Sequence, residues 1–151
     1  MLRKRNTRAA ARREVQVELA GRALAGLVDA GVLAACADGE IAQEELDVVS
    51  EVILGFSEGQ ASPRDIRELM AASAEAISTQ GYEARLDALA ENLFNDELKH
   101  LGLSVAAAVL LSDSEYNEEE DEVYEDIADA LDVDEDTSTA IFNQVVDALE
   151  E

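Results

Sequence analysis

Six carboxylates carry the chemistry this sequence could do. Asp38, Glu40 and Glu45 form one set, and Asp113, Glu115 and Glu120 repeat it 75 positions later. The first stretch reads Asp38-Gly39-Glu40-Ile41-Ala42-Gln43-Glu44-Glu45, the second Asp113-Ser114-Glu115-Tyr116-Asn117-Glu118-Glu119-Glu120. Each gives an acid, a small residue, Glu, a large apolar residue, and then an acidic run that opens a new apolar pattern. Carboxylates are hard oxygen donors, which select Ca²⁺, Mg²⁺ or Mn²⁺ over zinc or copper. The pattern is not an EF-hand. Counting Asp38 as position 5 of that loop puts Glu45 at 12, but positions 1 and 3 fall on Ala34 and Cys36. In the second copy they fall on Val109 and Leu111. An EF-hand needs carboxylates there, so a cation site would use another geometry, within each loop or shared between them.

The same residues have a purely structural reading. Glutamates in a helix's first turn interact favourably with its positive end, and Glu45 or Glu120 can cap backbone N–H groups. Ile41 and Tyr116 stand where an apolar residue fixes the chain entering a helix. Spacing alone leaves capping and cation binding both open. Other chemistry fails on residue counts. Glu97-Leu98-Lys99-His100 has the spacing of a carboxylate di-iron ligand pair, but such bundles need a second copy and the chain has one His. One His and one Cys cannot form a zinc site of the Cys/His type. Cys36 lies in an apolar segment, the setting of an inert core thiol. No phosphate-cradling glycine loop or nucleophile elbow occurs. The expectation is a protein that is not an enzyme and uses no organic cofactor.

The elements that must position these residues read almost entirely as helix. Ala, Leu, Glu and Arg dominate, and the single Pro leaves the pattern unbroken. The spacing predicts helices over about 8–20, 22–37, 43–56, 63–80, 82–94, 97–112 and 118–131, and a last one opened by Asp134. Ser62 and Pro63 supply an N-cap and a first helical residue, Asn95 or Asp96 a second cap, and Asn117 a third. Gly39 and Gly81 suit chain reversals, and Gly21 a bend. The segment Leu101 to Leu111 is apolar nearly all round, as befits a central helix. The fold class expected is all-α, a seven- to eight-helix bundle with an internal pseudo-twofold repeat of helix–acidic loop–helix units. Helices 22–37 and 97–112 should form the core, with 43–56 and 118–131 packed on them.

Charge narrows the partners. The chain has 151 residues and a net charge of −24, yet six of its eleven basic residues are Arg3, Lys4, Arg5, Arg8, Arg12 and Arg13. Residues 14–151 hold all 35 acids against five basic residues, a net of −30. Nucleic acid is excluded as a partner of such a body, which attracts cations or basic protein surfaces instead. The chain divides into a basic N-terminal arm, 1–13, and a helical domain, 14–151. The arm is the part that could make weak peripheral contact with an anionic membrane, although it lacks the apolar face of a stable anchor. One Cys fits a reducing compartment, and no apolar run spans a bilayer, so the expected location is the cytoplasm.

The two motifs also carry a family resemblance. Val28-Asp29-Ala30-Gly31-Val32-Leu33-Ala34-Ala35-Cys36-Ala37-Asp38-Gly39-Glu40-Ile41 followed by Glu44-Glu45 resembles the first signature of the TerB tellurite-resistance proteins. Val105-Ala106-Ala107-Ala108-Val109-Leu110-Leu111-Ser112-Asp113 with Glu118-Glu119-Glu120 and Ile127-Ala128-Asp129-Ala130-Leu131 resembles the second. The fold is shared by the N-terminal domain of certain membrane-anchored DnaJ-like co-chaperones. The resemblance covers residues 15–135 and implies a non-enzymatic bacterial stress-response module, cytoplasmic or at the inner face of the membrane. It further implies protein partners, membrane-associated ones among them, and a divalent cation held by the acidic loops. By position the implied ligands are Asp38 and Glu45, and Asp113 and Glu120. Ser114 departs from the family pattern, which has Gly there. The competing expectation is a metal-free acidic scaffold that binds a basic partner surface.

Overall fold

The computed structural model describes residues 21–36, 43–57, 60–112 and 117–150, and every regular element among them is an α-helix. In chain order these are α1 (residues 21–35), α2 (Gln43–Ser57), α3 (Pro63–Gln80) and α4 (Tyr82–Asn92). They continue with α5 (Asp96–Leu111), α6 (Glu118–Ala130) and α7 (Glu135–Glu150). The all-α architecture is the expected one. The helix expected over 8–20 and the basic arm lie outside the described residues.

Local chemistry sets the helix ends. Ser62 accepts a hydrogen bond from the Asp65 N–H at 3.1 Å with Pro63 behind it, and Asn95, not Asp96, accepts from the Leu98 N–H at 2.8 Å. Asp134 Oδ1 accepts from the Thr137 N–H at 2.7 Å, and these donated bonds hold its carboxyl below the usual carboxylate range. Gly81, at φ 96°, separates α3 from α4. Asp132 adopts φ 55° after α6, and the Val133 and Asp132 N–H groups donate back to Ala128 and Asp129 at 2.9 and 3.0 Å. That is a Schellman closure built on Asp, a residue that tolerates the left-handed region better than most.

α1 and α5 form the centre. Residues 26–35 are all buried, as are 105–110, because small and branched apolar side chains cover these helices on every side. α2, α6 and α7 pack on α5, α3 lies against α2 and α4, and α4 also meets α6. Gly31 of α1 lets Val49 of α2 approach, since a Cβ there would sit 2.8 Å from Val49 Cγ1. Leu93, fully buried just after α4, fits between Gly26 of α1 and Gly102 of α5. One charged pair crosses this core. Arg85 of α4 donates to Asp29 of α1 at 2.7 Å.

α6 is tied to α7 by Tyr124, whose hydroxyl donates to the Ser138 carbonyl at 2.6 Å while its ring meets Phe142 edge-on. In α7, Ile141 and Val145 are buried as the apolar spacing predicts, Val146 is half-buried, but Leu149 is 58% exposed. The apolar stripe therefore outruns its packing partner. Among the described residues no helix is long and apolar enough to cross a membrane.

Candidate functional site

α2 and α6 begin 75 positions apart, so Glu45 and Glu120 occupy the same place, the third residue of each helix. Asn117 fixes the start of α6. Its side chain accepts from the Glu120 N–H at 2.9 Å, one half of the expected capping box. Glu120 is buried and Glu45 half-buried, with the Oε2 atom of Glu45 withdrawn from solvent. Asn117→Ala should cost about 1 kcal/mol, roughly 2–4 °C in Tm for a domain of this size. A thermal melt with unchanged Tm would show that the cap does nothing for α6.

Both glutamates line one cleft of about 320 Å³. The ends of α1 and α5 supply its apolar floor through Ala34, Ala35, Val109 and Leu110, with Val48 beside them. Glu44, Glu45, Glu119 and Glu120 supply its acids, joined by Ser112 and Asn117. Four pairs of these residues stand 75 positions apart: Ala34 with Val109, Ala35 with Leu110, Glu44 with Glu119, and Glu45 with Glu120. The described ends of the two motif copies, Glu44-Glu45 and Glu119-Glu120, thus line the same cleft. Of the six carboxylates singled out from sequence, Glu45 and Glu120 meet there. Asp38, Glu40, Asp113 and Glu115 lie outside the described residues. Sequence reasoning treated Glu44 and Glu119 as part of the acidic run only; their position next to each motif's last Glu is the signal that could have marked them.

The electrostatics of the cleft favour a cation. Two helices end at its floor, and a helix C-terminus carries a partial negative charge that Lys or Arg in the last turn usually offsets. Neither α1 nor α5 has such a residue in its last turn. The sequence contains no Lys or Arg between Arg22 and Arg64 and none after Lys99, so neither acidic loop, nor the helix that follows it, brings a positive side chain of its own. The α5 end is closed locally, where the Ser112 hydroxyl donates to the Val109 carbonyl at 2.6 Å. Like charge extends along α6. Partial burial, then Asp129 and Glu83, hold the Asp126 carboxyl above its usual range.

What the arrangement can do follows from its donors. Carboxylate, hydroxyl and amide oxygens suit a hard cation, and a hydrated Mg²⁺ is commonly held by only one or two carboxylates. No group of three His, Cys, Asp or Glu close enough to hold a metal ion occurs among the described residues. Acid–base chemistry has less support. Elsewhere, the buried Tyr82 hydroxyl is pushed far above its ordinary pKa by desolvation, then by Asp126 and Cys36. His100 is exposed on α5. Compared with protein-family models, curated proteins and solved structures, the chain matches none.

Proposed function

We propose that the protein is a non-enzymatic, TerB-like interaction module that takes a divalent cation, Ca²⁺, Mg²⁺ or Mn²⁺, into the cleft between its two repeated units. The observation that supports this is the convergence of Glu45 and Glu120, from equivalent helix positions, on one cleft bearing four glutamates. On this reading Glu45 and Glu120 hold the ion with part of its water shell. The motif pattern adds Asp38 and Asp113 as further ligands, with Glu40 and Glu115 beside them. The role is that of a cytoplasmic stress-response module with protein partners, in which the cation ties the first turns of α2 and α6 together. Tellurite resistance enters through the TerB resemblance alone.

The test is a set of thermal melts with each divalent chloride against NaCl at matched ionic strength, because any salt relieves the self-repulsion of so acidic a chain. A cation bound to the folded state at about 100 times its Kd stabilises by about 2.7 kcal/mol, roughly 5–10 °C for this size. Glu45→Gln with Glu120→Gln should abolish the increment. Asp38→Asn with Asp113→Asn should weaken it. Identical melts in divalent and monovalent salt would sink the cation reading and leave the acidic protein-binding scaffold in its place.

A further inference from the structure

The cleft is larger than one ion needs, and five of its eleven lining residues are apolar. Its volume of about 320 Å³ is at the lower end of the range for organic ligands. The side chains of its floor, Ala34, Ala35, Val109 and Leu110, carry no oxygen donor for a metal. A group that fits both halves has an aliphatic stem and a cationic head, the chemistry of Arg and Lys. A guanidinium can also bond two carboxylate oxygens at once.

The chain itself contains such groups, concentrated in one place. Arg3, Lys4, Arg5, Arg8, Arg12 and Arg13 are the basic cluster of the sequence, with no acid among residues 1–13. None of the five basic residues of the body lines the cleft, and three of them have partners elsewhere. Arg22 stacks over Phe94 and donates to the Glu91 carbonyl, Arg64 pairs with Glu68, and Arg85 pairs with Asp29. Reach is sufficient. α1 has 15 described residues, a length of about 21 Å. Residues 1–20 lead into the end of α1 remote from the cleft and would cover about 30 Å even if wholly helical. At the roughly 3.3 Å per residue that an extended chain can span, the far end of α1, where the cleft lies, is within range of every basic residue from Arg3 to Arg13. Seven exposed acids of α6, continuous with the rim at Glu119, would steer a basic segment to it.

From this charge complementarity we infer that the acidic cleft is a docking groove for the chain's own basic segment, residues 3–13. Arg or Lys stems lie on the apolar floor and their heads meet the rim glutamates. The segment and a divalent cation then compete for the same carboxylates. The docking itself does not rest on the cation reading, and its test is run in EDTA so that either can fail alone.

In the full-length chain, the six basic residues are replaced by Gln, and a fluorescent peptide of residues 1–13 is titrated by anisotropy at about 0.15 M salt, where exposed charges are well screened. The six-Gln chain should bind the peptide about tenfold more tightly than the wild-type chain, whose own segment fills the groove. Adding Glu44→Gln and Glu119→Gln, both at exposed positions that leave the core intact, should weaken peptide binding by about tenfold. Glu68→Gln with Glu75→Gln on α3 should change it less than about twofold. Equal losses from the two pairs would overturn the inference in favour of plain net-charge attraction. So would equal affinity of the wild-type and six-Gln chains. Sedimentation showing a wild-type dimer that the six-Gln chain cannot form would also overturn it, by assigning the groove to the segment of a second copy.

Discussion

Asp29→Ala is expected to destabilise the protein by about 3–5 kcal/mol, the cost of leaving one member of a buried ion pair alone. The Asp29 and Arg85 side chains are only 5% and 17% exposed, and their 2.7 Å contact joins the central helix α1 to α4 across 56 positions. Arg85 also buries its Nε atom with no hydrogen-bond partner. The guanidinium therefore depends heavily on Asp29 for compensation of its lost water. Removing the acid strands a charge that can neither leave the core nor lose its proton. The converse substitution separates this from a simple loss of packing. Asp29→Leu with Arg85→Met removes both charges and keeps apolar volume, and should be near neutral or more stable than wild type. Urea unfolding with unchanged m-values would read both effects. A single-variant loss below about 1 kcal/mol would mean the pair behaves as a surface pair does.

That pair also shows where sequence reading stops. Helix starts were legible because a cap and its N–H lie three residues apart, as Ser62, Asn95 and Asn117 demonstrate. The central position of α1 and α5 was legible because an apolar segment without a polar face has nowhere else to go. Asp29 stands in an apolar segment with no role legible from sequence, since nothing local says which of five body cations meets it. Its one signal was being the lone acid between Arg22 and Asp38. Leu93 was placed inside a helix expected to run to residue 94. In fact α4 ends at Asn92, and Leu93 leaves helical geometry at φ −94°, ψ 79° to enter the core. The spacing of Ile141, Val145, Val146 and Leu149 predicts one buried face, yet Leu149 is exposed, because periodicity says which side of α7 is apolar, not how far its neighbours extend. The cleft lies between these cases. The duplication identified Glu45 and Glu120, but their meeting depends on α1 and α5 ending at the same end of the bundle, a tertiary fact.

The second large effect concerns Leu93. A Cβ on Gly102 would sit 2.5 Å from Leu93 Cδ1, and one on Gly26 would sit 2.7 Å from Cδ2 and 2.9 Å from Cγ. A flexible leucine tip can usually turn away from one added methyl. Here the glycines press on both of its branches, so escape from one is a move toward the other. Gly102→Ala should therefore cost about 1–3 kcal/mol as overpacking, and Leu93→Ala about 2–5 kcal/mol as a cavity. The two costs should not add. With Leu93 cut back to Ala, the methyl on residue 102 enters the space the leucine vacated, and the double variant should recover at least about 1 kcal/mol of the summed loss. A double-mutant cycle in urea measures this coupling directly. Strict additivity would mean that Leu93 does not set the spacing of α1 and α5. If the coupling holds, it bears on the cleft, because α1 and α5 carry Ala34 and Ala35 on one side of its floor and Val109 and Leu110 on the other. A larger residue at position 102 would then alter the width between those floor residues as well as the stability of the core. Peptide and cation affinities measured on Gly102→Ala should accordingly shift, while the charge of every rim glutamate is unchanged.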